Sequence, residues 1–141
     1  MLNFKQQVAE HQLVFDELQS LEVDLKVICK LVLNSLVNGG KILFCGNGGS
    51  AADSQHLAAE FLVRFEVNRE PISAMALTVD TSTLTATGND FSFNKLFDRQ
   101  IKALGREGDV LIAISTSGNS KNILSAVQTA NKLKLKTVGF L

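Results

Sequence analysis

Two of the side chains best equipped for chemistry, His56 and Glu60, stand four residues apart in the stretch SQHLAAEF. On a helix that spacing puts both on one face. The pair can supply two ligands to one zinc ion, or set an acid/base carboxylate beside a polarising imidazole. A surface ion pair is the plainer alternative. Arg64, one turn further on, continues the stripe; it can screen a phosphate, pair with Glu60 or simply be solvated.

Two loops carry a second kind of chemistry. Ser115-Thr116-Ser117-Gly118-Asn119-Ser120 places four hydroxyls between an apolar run and a helical pattern. Hydroxyls and free backbone N–H groups at a helix N-terminus suit a phosphate ester, and the helix dipole adds to the attraction. The loop has no lysine, so it is not a Walker A motif. The alternative is a polar turn with Ser120 as N-cap. The other loop, Gly46-Asn47-Gly48-Gly49-Ser50-Ala51, fits G-x-G-x-x-A, the dinucleotide fingerprint, with Asp80 as a possible ribose carboxylate. Against that reading, Asp80 comes later than the usual spacing of about 20 residues, and the hydroxyl loop has no part in the fingerprint. Gly88-Asn89-Asp90 reads as an ordinary turn. It gains interest only if it meets the other two loops.

The elements between these loops decide whether they can meet. Residues 3–20 and Glu22–Val37 read as two helices, the second ended by Asn38-Gly39-Gly40. Its wide apolar face predicts a helix–helix partner, such as another subunit. Ile42–Cys45 is a short continuous apolar strand, and Ser50 can cap a helix running to about Phe65. A strand over Ile72–Thr78, helical segments near Thr81–Thr87 and Phe93–Leu104, a strand over Asp109–Ile114, a helix over 121–134 and a strand from Lys136 to Leu141 complete the pattern. Strands that are apolar throughout and alternate with helices predict an α/β fold, a doubly wound parallel sheet flanked by helices on both faces, with an N-terminal helical pair. Right-handed crossovers put the strand-to-helix loops 45–50, 78–90 and 115–120 at one edge, where such sheets bind ligands.

Composition narrows the classes. The 141 residues suit one domain, and the 14 basic and 14 acidic side chains cancel. A neutral protein gains no general pull toward nucleic acid or anionic lipid, so bound phosphate must be held locally. Cys29 and Cys45 both lie in apolar runs and read as buried free thiols. The first residues lack a signal-peptide pattern and no apolar run reaches a membrane span. A cytoplasmic protein is the expectation.

Together, CGNGGSAADSQHLAAEF, TLTATGNDFSFN and GREGDVLIAISTSGNS resemble the three signature blocks of the phosphoheptose isomerases, a branch of the sugar isomerase (SIS) superfamily. The resemblance covers nearly all of the chain. It implies a SIS-type fold over residues 1–141 and isomerisation of sedoheptulose 7-phosphate to D-glycero-D-manno-heptose 7-phosphate, an early step toward ADP-heptose and lipopolysaccharide core. It implies substrate contacts from Asn47, Gly48, Gly49, Asn89 and Asp90, and a phosphate held by Ser115, Thr116, Ser117 and Ser120. It also implies zinc ligation by His56 and Glu60, with Glu60 as catalytic base, in a cytoplasmic homotetramer with sites at subunit contacts. Two further zinc ligands, a glutamine and a histidine on a late helix, are expected beyond Leu141. The domain is thus expected to lack its C-terminal part, and the chain alone to have little activity. A non-catalytic SIS protein of the replication-initiator-binding type is the alternative; Glu60 favours the enzyme. A nicotinamide-dependent dehydrogenase is the third reading.

Overall fold

After Lys41 the chain runs Ile42-Leu43-Phe44-Cys45-Gly46 with no charged side chain, and these residues form β1 (Ile42–Gly46), buried from end to end. A strand buried on both faces needs apolar residues at every position, not at alternate ones. The same holds for β3 (Val110–Ile114). The computed structural model describes residues 3–141. Among these, β1, β2 (Ala74–Ala76), β3 and β4 (Lys136–Phe140) form one sheet in the order β2-β1-β3-β4. Every pairing is parallel.

Side-chain alternation sorts the buried residues between two faces. Leu43, Cys45, Leu111 and Ala113 pack with Phe97 and Ile101 of α5 (Leu96–Leu104) and with Ile123, Ala126 and Ala130 of α6 (Lys121–Lys132). On the other face Phe44 meets Phe61 of α3 (Gly49–Leu62), ring centroids 6.0 Å apart. The expected helix-flanked parallel sheet is what forms.

Several local expectations need correction. β2 spans three residues, not Ile72–Thr78; Pro71 precedes it, and the Leu77 N–H on the Phe44 carbonyl at 2.9 Å extends the β1–β2 pairing by one bond beyond the strand. Ser50 does not cap α3. Gly48 takes that place at φ 56°, a conformation open to glycine, and Ser50 falls in the first turn. Gly88-Asn89-Asp90 is not a turn but the last stretch of α4 (Thr81–Asp90), closed by the Phe91 N–H on the Thr87 carbonyl at 3.1 Å. The helix 121–134 stops at Lys132, and Lys134 turns at φ 61° to enter β4.

The chain divides into two compact units, one ending at Leu31 and one from Val32 to Leu141. The first holds α1 (Phe4–Glu17), a 3-10 turn (Leu18–Leu21) and the first turns of α2 (Glu22–Val37). Asn3 caps α1 by accepting the Lys5 N–H at 3.1 Å. No residue of α1 is buried. Cys29 is exposed on α2, contrary to expectation, because its helix presents that apolar surface outward, whereas Cys45 is buried in β1. The second unit holds the sheet, and the Ser35 hydroxyl donates to the Gly108 carbonyl there at 2.6 Å.

Candidate functional site

From β1 the chain crosses to β2 on one side and then returns to β3 on the other. The crevice between β1 and β3 is therefore the topological switch point, where parallel α/β sheets bind ligands. Gly46 and Ile114, the last residues of the two strands, are register partners. The loops 46–50 and 115–120 thus leave the sheet side by side, as the sequence predicted. Between them lies a small polar cavity of about 50 Å³, lined by Asn47, Ser50, Ile114, Ser115, Thr116 and Ser120.

The hydroxyls of this cavity are unequal. Ser115 is buried, and its Oγ has no hydrogen-bond partner. A buried hydroxyl left unpaired costs about 1–3 kcal/mol. Ser120 stands at the N-cap of α6, yet its side chain makes no capping bond. Ser117 is engaged elsewhere: its Oγ accepts the Asn119 N–H at 3.2 Å, and it does not line the cavity. Gly118, at φ 63°, folds the loop back so that its N–H reaches the Ser115 carbonyl at 3.1 Å. The result is a set of open donors at the start of a helix, a fitting surface for an anionic ester.

Sequence reasoning missed Asn122. It is buried in the first turn of α6 and exchanges two hydrogen bonds with Asn47: Asn47 Nδ2 donates to Asn122 Oδ1 at 2.9 Å, and Asn122 Nδ2 donates to Asn47 Oδ1 at 2.8 Å. An asparagine inside a helix directly after a hydroxyl loop was the available signal, since asparagine is a poor helix former.

His56 and Glu60 share a face of α3, with Nε2 and Oε1 3.6 Å apart. They line a separate cavity of about 350 Å³ with Leu57, Phe61, Phe65, Arg69 and Ile72. Arg64 does not pair with Glu60; its Nη1 donates to Asn68 Oδ1 at 3.1 Å. Arg69, also missed, donates to the carbonyls of Glu60 at 2.6 Å and Phe61 at 2.8 Å, closing the end of α3. Tetrahedral zinc takes four ligands. His56 and Glu60 fit half of such a set, and among the described residues no group of three or more His, Cys, Asp or Glu side chains is placed to hold a metal. Cys45 is no substitute, because burial pushes its thiol up to about 12.

Asn89 and Asp90 lie at the end of α4, where Asn89 Nδ2 donates to Asp90 Oδ1 at 2.8 Å. Asp90 faces a third cavity, about 690 Å³, with Asp80, Thr83, Phe91 and Arg99. Neither residue lines the β1–β3 cavity. Thr78 is the part of the 78–90 loop that reaches the first loop's helix, its hydroxyl donating to the Ala51 carbonyl at 3.2 Å. Asp80 spends both carboxylate oxygens on Thr83, accepting its N–H at 3.0 Å and its hydroxyl at 2.8 Å. Those bonds hold the Asp80 carboxyl below its ordinary range and make it the N-cap of α4.

Known proteins share this fold. A family model described as "SIS domain" matches residues 4–141. A phosphoheptose isomerase of Campylobacter concisus is 50% identical over 135 residues, which cover 96% of this chain and 71% of that protein. A phosphoheptose isomerase of Desulfovibrio desulfuricans is 60% identical over 105 residues, 74% of this chain and 50% of the relative. The chain therefore spans from half to about seven-tenths of these relatives' lengths. Among solved structures, a phosphoheptose isomerase from Francisella tularensis superposes with a TM-score of 0.89 at 38% identity, covering 98% of this chain and 75% of that one. That of Neisseria gonorrhoeae gives 0.86 at 43% identity, covering 97% and 74%.

Proposed function

The chain belongs to the SIS-domain family, within its phosphoheptose isomerases, and from that premise we propose that it binds sedoheptulose 7-phosphate at the β1–β3 crevice and interconverts it with D-glycero-D-manno-heptose 7-phosphate. The observation that carries the proposal is the Ser115 hydroxyl, buried without a partner in a polar cavity at the switch point. A phosphate oxygen placed there would satisfy it. Thr116 and Ser120 offer two more hydroxyls to the same group, and the N-terminus of α6 adds its dipole.

The chemistry requires one proton to move between adjacent carbons. Glu60 is the base in this reading: it removes a proton from C1 of the ketose, leaving an enediol, and returns it to C2 to give the aldose. The hydroxyl proton shifts from O1 to O2 in the same exchange. Asn47, Gly48 and Gly49 would hold the sugar beside the phosphate site. Zinc, where bound by His56 and Glu60 together with donors outside the described residues, would stabilise the developing oxyanion.

Asn89 and Asp90 enter the proposal through assembly. In one chain the hydroxyl loop, the His56–Glu60 face and the Asp90 face line three different cavities. A homotetramer with sites at subunit contacts would bring faces of different chains together. Large apolar side chains left open, Phe4 at 77% and Val23 at 70% among them, support such assembly. We place the enzyme in the cytoplasm; among the described residues no helix is long and apolar enough to cross a membrane.

Titration calorimetry tests the proposal. Sedoheptulose 7-phosphate is expected to bind, the unphosphorylated ketose to bind far more weakly and NAD to give no heat. Binding of NAD without binding of the sugar phosphate would overturn it in favour of the dehydrogenase reading.

A further inference from the structure

We infer that Asn122 is a positioning residue that locks the glycine turn of the β1–α3 loop onto the first turn of α6, and so fixes the width of the phosphosugar cradle. The inference rests on the reading of that crevice as the substrate site.

The turn needs such a lock. Gly46-Asn47-Gly48-Gly49 holds three glycines, and an added Cβ at Gly48 or Gly49 would meet nothing within 4 Å. A turn of that composition has little stiffness of its own. Asn47 is the residue through which it is tied across the crevice. Both polar atoms of its amide are matched by Asn122, with bonds of 2.9 and 2.8 Å. Asn122 cannot move to accommodate the turn. It is 2% exposed, and its Oδ1 also accepts the N–H of Ile123 at 3.0 Å. Ile123 belongs to the core under the sheet.

The pair thus links the glycine turn to the first turn of α6 through two residues 75 apart in sequence. α6 also carries Ser120 at its N-cap, so the Asn47 backbone is held at a set distance from the hydroxyls of the cavity. Asn47 keeps one amide N–H and one carbonyl lone pair free, so it can still reach a ligand, whereas both lone pairs of Asn122 Oδ1 are taken, by Asn47 and by the Ile123 N–H. A preformed cradle binds without first ordering its walls.

The test has two arms. In the unliganded protein, Asn122→Ala and Asn122→Asp are compared with the parent by ¹⁵N relaxation. The aspartate keeps the size of the side chain and can accept from Asn47 and Ile123, but cannot donate to Asn47 Oδ1. Both variants are expected to mobilise residues 47–49 on the ps–ns timescale. An unchanged, rigid turn in the folded aspartate variant would overturn the inference. In the second arm, sedoheptulose 7-phosphate binding is measured for Asn122→Ala, Asn47→Ala and the double variant. Asn122→Ala is expected to weaken binding about tenfold, and the double variant to bind no more weakly than Asn47→Ala. Additive losses would mean that Asn122 does not act through Asn47 and would also overturn it. Should the parent protein bind no sugar phosphate, the proposed function fails, and the relaxation arm alone decides the role of Asn122.

Discussion

Gly46 lies against the backbone of Ser50, four residues further along the chain. A Cβ at Gly46 would press on the Ser50 carbonyl group, with the carbonyl carbon only 2.6 Å away. The atoms in the way are main chain, so the turn itself must shift to make room. Gly46→Ala is therefore expected to destabilise the protein by about 1–3 kcal/mol, the range for overpacking a tight site. Because Asn47 and Ser50 both line the polar cavity, sugar phosphate affinity should fall with it. Chemical denaturation and calorimetry on the same variant check both effects.

Ser115 predicts the opposite division. Its unpaired Oγ costs the free protein stability and rewards a bound ligand. Ser115→Ala should leave stability unchanged or raise it by about 1 kcal/mol, while weakening sugar phosphate binding about tenfold or more. A variant that loses stability and affinity together would show that the hydroxyl has a structural partner instead.

The frame of the site was legible in the sequence because it depends on local signals. Continuous apolar runs mark β1 and β3, and parallel winding places their following loops together whatever the loops contain. Pairings between distant residues left no comparable mark. The Asn47–Asn122 exchange and the Arg69 bonds to the Glu60 and Phe61 carbonyls follow from how helices settle on the sheet. Gly88-Asn89-Asp90 misled because its composition favours a turn, whereas the Phe91 N–H on Thr87 carries the helix through it. Cys29 misled because apolar neighbours along a chain do not show which face of a helix is covered. The sequence marks the Ser115 hydroxyl as a phosphate candidate; that it is buried and unpaired depends on how its loop folds at the end of β3.

Asp98 gives a pH prediction. It is 1% exposed on α5, and its Oδ2 accepts from Lys95 Nζ at 3.1 Å, Ser125 Oγ at 3.2 Å and Lys102 Nζ at 3.4 Å. Burial pushes its carboxyl up, but the two lysines outweigh that and hold it below the ordinary aspartate value. A depressed folded-state value means that the unfolded chain binds the proton more readily. The stabilisation is present above the unfolded aspartate pKa and is lost as pH falls through the folded one. Acid titration of Tm should show this loss, and Asn at position 98, in Asp98→Asn, should remove that part of the slope.

Asp109 supplies a control at the opposite rim of the sheet. It accepts the Lys41 N–H at 3.0 Å, Lys41 Nζ at 2.6 Å and the Arg106 N–H at 2.8 Å. Asp109→Ala should cost about 3 kcal/mol by leaving these donors without their acceptor. It lies before β3, away from the loops that follow β1 and β3. The folded fraction should therefore bind sugar phosphate with unchanged affinity. An affinity loss equal to that of Ser115→Ala would mean that the sheet transmits the change from one rim to the other.

Glu60 can be tested by the half of the reaction assigned to it. If its carboxylate removes the C1 proton of the ketose, incubation in D₂O should carry deuterium into C1 of sedoheptulose 7-phosphate, followed by NMR. Glu60→Gln keeps the shape of the side chain and removes the base, so exchange should fall by at least a hundredfold, within the usual range for a general base of about 10²–10⁴. Affinity measured by calorimetry should change much less, because the phosphate is held from the other loop. His56 stands 3.6 Å away but is 75% exposed, so His56→Ala should slow exchange less than Glu60→Gln does. Full exchange in the Glu60→Gln protein would remove the carboxylate from the reaction and leave the crevice as a binding site only.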